Sequence, residues 1–301
     1  MKSRKILAFD MGGTKISSAV VELTGSDYKI LDYKKSETPS SRKEIVDKIL
    51  ESYEFYKGNH SFAKIGLAVA GQVNEKGDTV VCAPNIPELN NFALGKTIAK
   101  KTGLPSMLKN DVRAFALGED LFGKYKGYDN AVFIAVGTGV GGAIKINGKF
   151  YFGKDNIAGE FGHMVIAAGG EKCKCGREGC WERYVAGPGV EKMYEKKYGE
   201  KKGAKDIVFD AVRGEEKSRV IMEQASSYFA IGFANVVNIL NPEIAVIGGS
   251  MVKEKRLLKL AMPFIRDEVL PSARKVNVVN SSLGDDAFLL GAAVDWDIKS
   301  I

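Results

Sequence analysis

The sequence predicts an α/β protein built as two similar halves, and three observations carry that prediction. Short β-branched segments alternate with segments of helical apolar spacing along the 301 residues. A strand, glycine turn, strand unit at residues 6–21 recurs at residues 131–146. The length is that of about two ordinary domains.

In the first half, residues 5–10 read as a buried strand, 11–15 as a glycine turn and 16–23 as a returning strand. Residues 29–34 hold a further strand. Ile45, Ile49, Leu50 and Tyr53 recur at helical spacing and predict a helix over 42–56. A strand over 63–70 ends at Gly71. A helix over 91–101 is closed by Gly103 and Pro105. A short strand, 106–109, leads into Asn110-Asp111 and a helix over 112–122. The second half repeats the plan with a strand over 130–136, a turn over 137–142 and a strand over 143–146. Asn147-Gly148 then signals a type I′ hairpin with a return strand over 150–152. A long helix over 218–240 stops at Asn241-Pro242, a strand follows over 243–247, and Gly248-Gly249 opens a turn before another helix. The last helix, 286–296, is expected to return to the first half. The expected domains are residues 1–109 with 285–301, and residues 110–284, with a hinge near 109–111.

Charge and targeting exclude several classes. Lys and Arg number 44 against 37 Asp and Glu, a net +7, but the lysines are scattered and read as a solvated surface rather than a nucleic-acid face. The basic start is like a secretory leader, yet its apolar stretch, residues 6–9, is cut by Asp10. No apolar run approaches the ~18 residues of a membrane span. The expectation is a cytoplasmic protein with no membrane or nucleic-acid partner. Cys173, Cys175 and Cys180 lie within eight residues and Cys82 stands apart, which excludes a disulfide scaffold and points to a local metal site.

Two glycine motifs mislead. Gly137-Thr138-Gly139-Val-Gly-Gly142 matches GxGxxG, but a hairpin strand follows where a dinucleotide site needs a helix. Gly95-Lys96-Thr97 resembles the end of a P-loop, but Asn90 stands at the first glycine position. Asp10-Met-Gly12-Gly13-Thr14-Lys15 is more informative. A strand delivers a carboxylate, two glycines bring backbone N–H groups to an anion, and Thr14 and Lys15 add a hydroxyl and a charge. Those parts suit Mg²⁺ and nucleotide phosphates; a plain turn with an incidental Asp is the competing reading. The Thr138 turn can grip the same nucleotide, and Gly248-Gly249 leaves room for its adenosine.

The densest chemistry is Gly159-Glu160-Phe-Gly162-His163, nine residues, then Cys173-Lys-Cys175-Gly176-Arg-Glu-Gly179-Cys180-Trp-Glu182. One His and three Cys match closed, structural zinc; free thiols, a Cys173–Cys180 disulfide and a redox pair are the alternatives. The metal would then fix Glu160 and Glu182, whose carboxylates suit sugar hydroxyls. Asn110-Asp111 at a strand end reads either as a helix cap or as a general base, Asp111, beside an orienting amide.

Asp10-x-Gly-Gly-Thr-Lys15, Asn110-Asp111, Gly159-Glu-Phe-Gly-His163 and the His/Cys pattern through Glu182 together resemble the ROK family of sugar kinases and repressors, over essentially the whole chain. The resemblance implies an actin-like (ribonuclease H-like) duplicated fold with two lobes closing around a cleft. It implies phosphorylation of a hexose 6-hydroxyl by ATP with Mg²⁺, and homodimers or homotetramers. Asp111 would be the base. Asn85, Asn110, Asp111, Glu160, His163 and Glu182 would contact sugar. Asp10, Gly12, Gly13, Thr14, Lys15, Gly137, Thr138, Gly139, Gly248 and Gly249 would hold nucleotide. His163, Cys173, Cys175 and Cys180 would bind zinc, His163 also touching sugar through its second nitrogen. Departures are Ala70-Gly71-Gln72-Val73-Asn74 for PGPVD, Arg113 for a common Asn and Trp181 for a common Leu; they bear on which sugar is used. Fructokinase and N-acetylhexosamine or N-acetylmannosamine kinase are the near rivals. A sugar-responsive repressor is disfavoured, because only nine residues precede Asp10 and they read as a strand.

Overall fold

The structure, a computed structural model, describes residues 3–252 and 256–294. The chain divides into two compact units: residues up to Gly127 with Phe152–Ile157 and the chain from Asp285, and Tyr128–Tyr151 with Ala158–Gly284.

In the first unit, β1 (Arg4–Met11), β2 (Lys15–Thr24) and β3 (Asp27–Glu37) form an antiparallel meander. Helix α1 (Arg42–Lys57) precedes β4 (Ile65–Val69), and a small ribbon follows, β5 (Gln72–Val73) with β6 (Val80–Cys82). Then come α2 (Leu94–Thr102), β7 (Ser106–Asn110) and α3 (Asp111–Phe122). The sheet order is β3-β2-β1-β4-β7, with β4 parallel to both β1 and β7. Ile6, Leu7, Ala8 and Phe9 are buried without alternation, which is what a central strand covered on both faces requires. Helix α1 is capped by Ser41, whose Oγ accepts from the Glu44 N–H and donates to the Glu44 carboxylate. Its Ile45, Ile49, Tyr53 and Tyr56 face the core. The helix expected over 91–101 begins later, because Asn91 takes a left-handed backbone (φ 52°) and residues 83–90 fold into a loop containing a 3₁₀ turn.

The second unit repeats the plan with β8 (Ala131–Val136), β9 (Val140–Ile146) and β10 (Lys149–Tyr151). Asn147 and Gly148 both have positive φ, 51° and 78°, as a type I′ turn demands. Helices α4 (Glu182–Val185), α5 (Gly187–Tyr198), α6 (Ala204–Val212) and α7 (Glu216–Leu240) follow. The unit ends with β11 (Ile244–Gly248), α8 (Arg256–Glu268) and β12 (Asn277–Asn280). The order β10-β9-β8-β11-β12 matches the first sheet strand for strand. The antiparallel pairing of β8 with β9 removes the dinucleotide reading of GxGxxG, and Gly95-Lys96-Thr97 lies within α2, away from any P-loop geometry.

Helix α9 (Asp286–Ala293) belongs to the first unit and packs on α3. The approach is very close: a Cβ on Gly291 would lie 1.6 Å from the Ala114 carbonyl oxygen. At its end, buried Lys109 Nζ donates to the carbonyls of Ala292 (3.2 Å) and Val294 (2.9 Å). Burial, with Lys64 adding, brings that ammonium down to about 7. Because α3 and α9 share one core, the first unit extends to Gly127, not the expected 109, and the hinge expected at 109–111 falls inside it. Residues 295–296 of the expected last helix lie outside the described residues.

Candidate active site and metal centre

Asp111 is the first residue of α3. Asn110 is its cap: Oδ1 accepts from the Arg113 N–H at 3.1 Å, while Nδ2 donates to the Gly71 carbonyl and to Asp111 Oδ1, both at 3.1 Å. Asp111 Oδ1 also accepts from the Val112 N–H at 2.9 Å. Capping therefore falls to Asn110, and the Asp111 carboxylate sits at the amino-terminal, positive end of the helix, where two hydrogen bonds fix it.

The β1–β2 turn lies in the same unit. Gly12 N–H donates to the Lys15 carbonyl (2.9 Å) and Thr38 Oγ1 to the Gly12 carbonyl (2.7 Å), which fixes the loop while Thr14 and Lys15 stay exposed. Gly13 is required by its neighbour: a Cβ there would be 2.7 Å from the Asn85 carbonyl oxygen. The Asn85 loop is itself folded by Asn90, whose Oδ1 accepts from the Ala83 N–H at 2.6 Å. Asn90, the residue at the broken P-loop position, thus shapes the loop that carries Asn85. Burial pushes the Asp10 carboxyl up to about 7, with Asp285 adding to the effect and Lys35 opposing it. A partly buried carboxylate with a second acid near enough to raise it suits a divalent cation, which discharges both. Asp285 was missed by sequence reasoning, since an acid before a helix reads as ordinary first-turn chemistry.

In the second unit, Gly137-Thr138-Gly139 is the β8–β9 turn, closed by a Gly137 N–H to Gly139 carbonyl bond (2.9 Å), with Thr138 exposed. Gly248 ends β11. Gly249 follows at φ 93°, where a Cβ would meet the Val136 carbonyl oxygen at 2.4 Å. Glu160 precedes a 3₁₀ turn, Phe161–His163, whose His163 N–H donates to the Glu160 carbonyl at 3.1 Å.

Beyond it the cysteine loop folds back, with the Cys173 N–H on the Arg177 carbonyl (2.8 Å) and positive φ at Gly176 and Gly179. His163 Nδ1 lies 3.7 Å from Cys173 Sγ, Cys175 Sγ lies 3.5 Å from Cys180 Sγ, and the four donor atoms are all within 4.8 Å of one another. A tetrahedral zinc with Zn–S of about 2.3 Å sets its sulfurs about 3.7 Å apart, so the set fits such an ion. Burial pushes the Cys173 thiol up to about 12. Burial also opposes the Cys175 thiolate, but hydrogen bonds from Arg177, together with those from Cys180 and Cys173, outweigh it and bring that thiol down to about 6. Since Nδ1 faces the thiols, Nε2 of His163 is the nitrogen left for another partner. Glu182 stands between two features. Its Oε1 accepts from Cys173 Sγ at 3.3 Å, and its Oε2 is 3.1 Å from where a Gly139 Cβ would be. Trp181, fully buried, anchors this corner with Nε1 donating to the Tyr228 carbonyl at 3.0 Å. The expected residues thus gather as Asp10 to Lys15, Asn85, Asn110 and Asp111 in the first unit. Gly137 to Gly139, Glu160, His163, the cysteines, Glu182 and Gly248-Gly249 lie in the second.

The ROK family profile matches residues 6–297. The glucokinase of Thermotoga maritima is 31% identical over 97% of this chain and 97% of its own length. The N-acetyl-D-glucosamine kinase of Vibrio cholerae is 29% identical, over 95% and 97%. The xylose repressor of Bacillus subtilis is 28% identical over 95% of this chain and 75% of that protein. Among solved structures, a ROK family glucokinase from Streptomyces griseus, in complex with glucose and AMPPNP, superposes with a TM-score of 0.86 at 29% identity, covering 96% of this chain and 98% of that one. The two matched five-stranded sheets are the mixed α/β, actin-like ATPase architecture of such kinases. Among the described residues no helix is long and apolar enough to cross a membrane. In motif order, in sequence and in fold, this chain belongs to the ROK family.

Proposed function

We propose that the chain is an ATP-dependent sugar kinase that phosphorylates the 6-hydroxyl of a hexose, with glucose as the first candidate. The observation that carries the reading is the Asp111 carboxylate, steadied by Asn110 and the Val112 N–H at the start of α3. A base so placed takes the proton from an acceptor hydroxyl as its oxygen attacks the γ-phosphorus, and ADP leaves. Asn85, Asn110, Glu160, His163 and Glu182 are assigned to the sugar hydroxyls. The Asp10 to Lys15 turn, Gly137 to Gly139 and Gly248-Gly249 are assigned to nucleotide. Mg²⁺, held near Asp10, neutralises phosphate charge when bound. Zinc on His163, Cys173, Cys175 and Cys180 is structural, since four protein ligands leave no position for substrate. Its work is to hold Glu182 and His163 in place.

The test is ADP release over a panel of glucose, mannose, fructose, N-acetylglucosamine and N-acetylmannosamine. Asp111→Asn should lower kcat by about 10²–10⁴ with both KM values little changed. Turnover with none of these sugars, or full activity in Asp111→Asn, ends the proposal. A higher kcat/KM for an N-acetylated sugar or fructose moves the substrate and leaves the chemistry.

A further inference from the structure

Arg113 is a charged side chain carried into the interior two residues after Asp111, and the phosphoryl transfer above does not use it. Its backbone N–H donates to Asn110 Oδ1 at 3.1 Å, which orients the Asn110 carboxamide. So turned, Asn110 presents Nδ2 to the Gly71 carbonyl and to Asp111 Oδ1. At its far end the guanidinium grips Asn156 twice, once on Oδ1 and once on the carbonyl at 2.7 Å, and it lies 4.7 Å from the centre of the Phe152 ring. Asn156 Nδ2 then donates to the Val73 carbonyl at 2.8 Å. The bonds close a ring through the Gly71–Val73 corner, Asn156, Arg113 and Asn110, with Asp111 attached by way of Asn110. Asn156 is held at φ 59°, a left-handed backbone that its partners maintain. These bonds also explain why Phe152–Ile157 belongs to the first unit although the chain on either side belongs to the second. Glu160 follows Ile157 by three residues.

We propose that Arg113 is a positioning residue: by clamping Phe152–Ile157 through Asn156 it fixes the Asn110 carboxamide and the Asp111 carboxylate. It thereby sets how tightly the acceptor sugar, and not the nucleotide, is held. Lysine cannot substitute, because a point ammonium supplies neither the planar fork to Asn156 nor the stack on Phe152. The assignment rests on the kinase reading of Asn110 and Asp111.

The experiment measures sugar KM, nucleotide KM, kcat and Tm for Arg113→Lys, Asn156→Gly and the double variant. Glycine is chosen because it keeps the left-handed backbone at 156. Each single change should raise the sugar KM about tenfold and leave the nucleotide KM within about twofold, and the double variant should be no worse than the stronger single one. Unchanged sugar constants overturn the proposal. So do effects that multiply in the double variant, or sugar and nucleotide KM rising together as Tm falls, since those are the marks of a generally loosened fold. Asp111→Asn is assayed alongside. If it turns over normally the base assignment fails, and the Arg113 cycle is still decided by the sugar KM.

Discussion

Replacing Asp10 by asparagine should stabilise the unliganded protein at alkaline pH while removing its response to nucleotide. The folded protein holds this carboxyl at about 7 against an ordinary 3.8, chiefly through burial and then through Asp285. A carboxyl that binds its proton more tightly in the folded state gives stability that is fully present below pH 3.8 and is lost as the pH rises through 7. The full difference is about 4 kcal/mol, at 1.36 kcal/mol per pH unit. At pH 5 the folded carboxyl is still mostly protonated, so the penalty there is roughly 2 kcal/mol. Asparagine has the shape without the charge. Urea unfolding of the unliganded proteins should therefore find Asp10→Asn more stable than wild type by about 4 kcal/mol at pH 8 and by about half that at pH 5. Adding Mg²⁺ and an ATP analogue should raise the wild-type midpoint and leave the variant unmoved. A gap of constant size across this range, or a variant less stable at pH 8, refutes the reasoning.

Three further outcomes follow from the same geometry. Metal analysis of the purified chain should find one zinc per chain, and Cys180→Ser should lose it together with most sugar affinity; a metal-free protein of full activity rules this out. Gly291→Ala should destabilise by roughly 2 kcal/mol despite a helix-propensity gain of about 1, because the new methyl lies 1.6 Å from the Ala114 carbonyl oxygen and must drive α3 and α9 apart. A Tm equal to or above wild type would show that the crossing relaxes freely. Glu182→Gln should raise the sugar KM while zinc content stays at one per chain, and a loss of zinc instead would make Glu182 part of the metal's support.

What the sequence made legible was whatever is written locally. The Asp10 to Lys15 hairpin needs two glycines and a strand-end carboxylate within six residues, and the metal set needs four donors within eighteen. Both are spelled in one stretch of chain. Asn110-Asp111 was legible as a pair, but the division of labour between cap and carboxylate needed the hydrogen bonds. Asp285 beside Asp10 and Asn156 beside Arg113 are long-range meetings, and neither residue type is distinctive where it stands. The extent of the first unit was missed for the same reason. The α3–α9 crossing depends on Gly291, one glycine among 34, whose role is defined only by the carbonyl it meets. Helices α4 to α6 and strand β12 were not anticipated: α4 and β12 are only four residues each, and α5 and α6 sit among the lysines and glutamates of 191–217, which mask their short apolar faces.

The route of the chain also sets an order of assembly. It passes between the units at 127/128, 151/152, 157/158 and 284/285. During synthesis the first sheet emerges early, but α9, which covers it beside α3 and is tied down by Lys109, emerges only after every segment of the second unit. The amino-terminal unit is therefore the second to be finished. A stop codon that removed α9 would leave a nascent sheet without its cover, while the carboxy-terminal unit would already hold every one of its own strands.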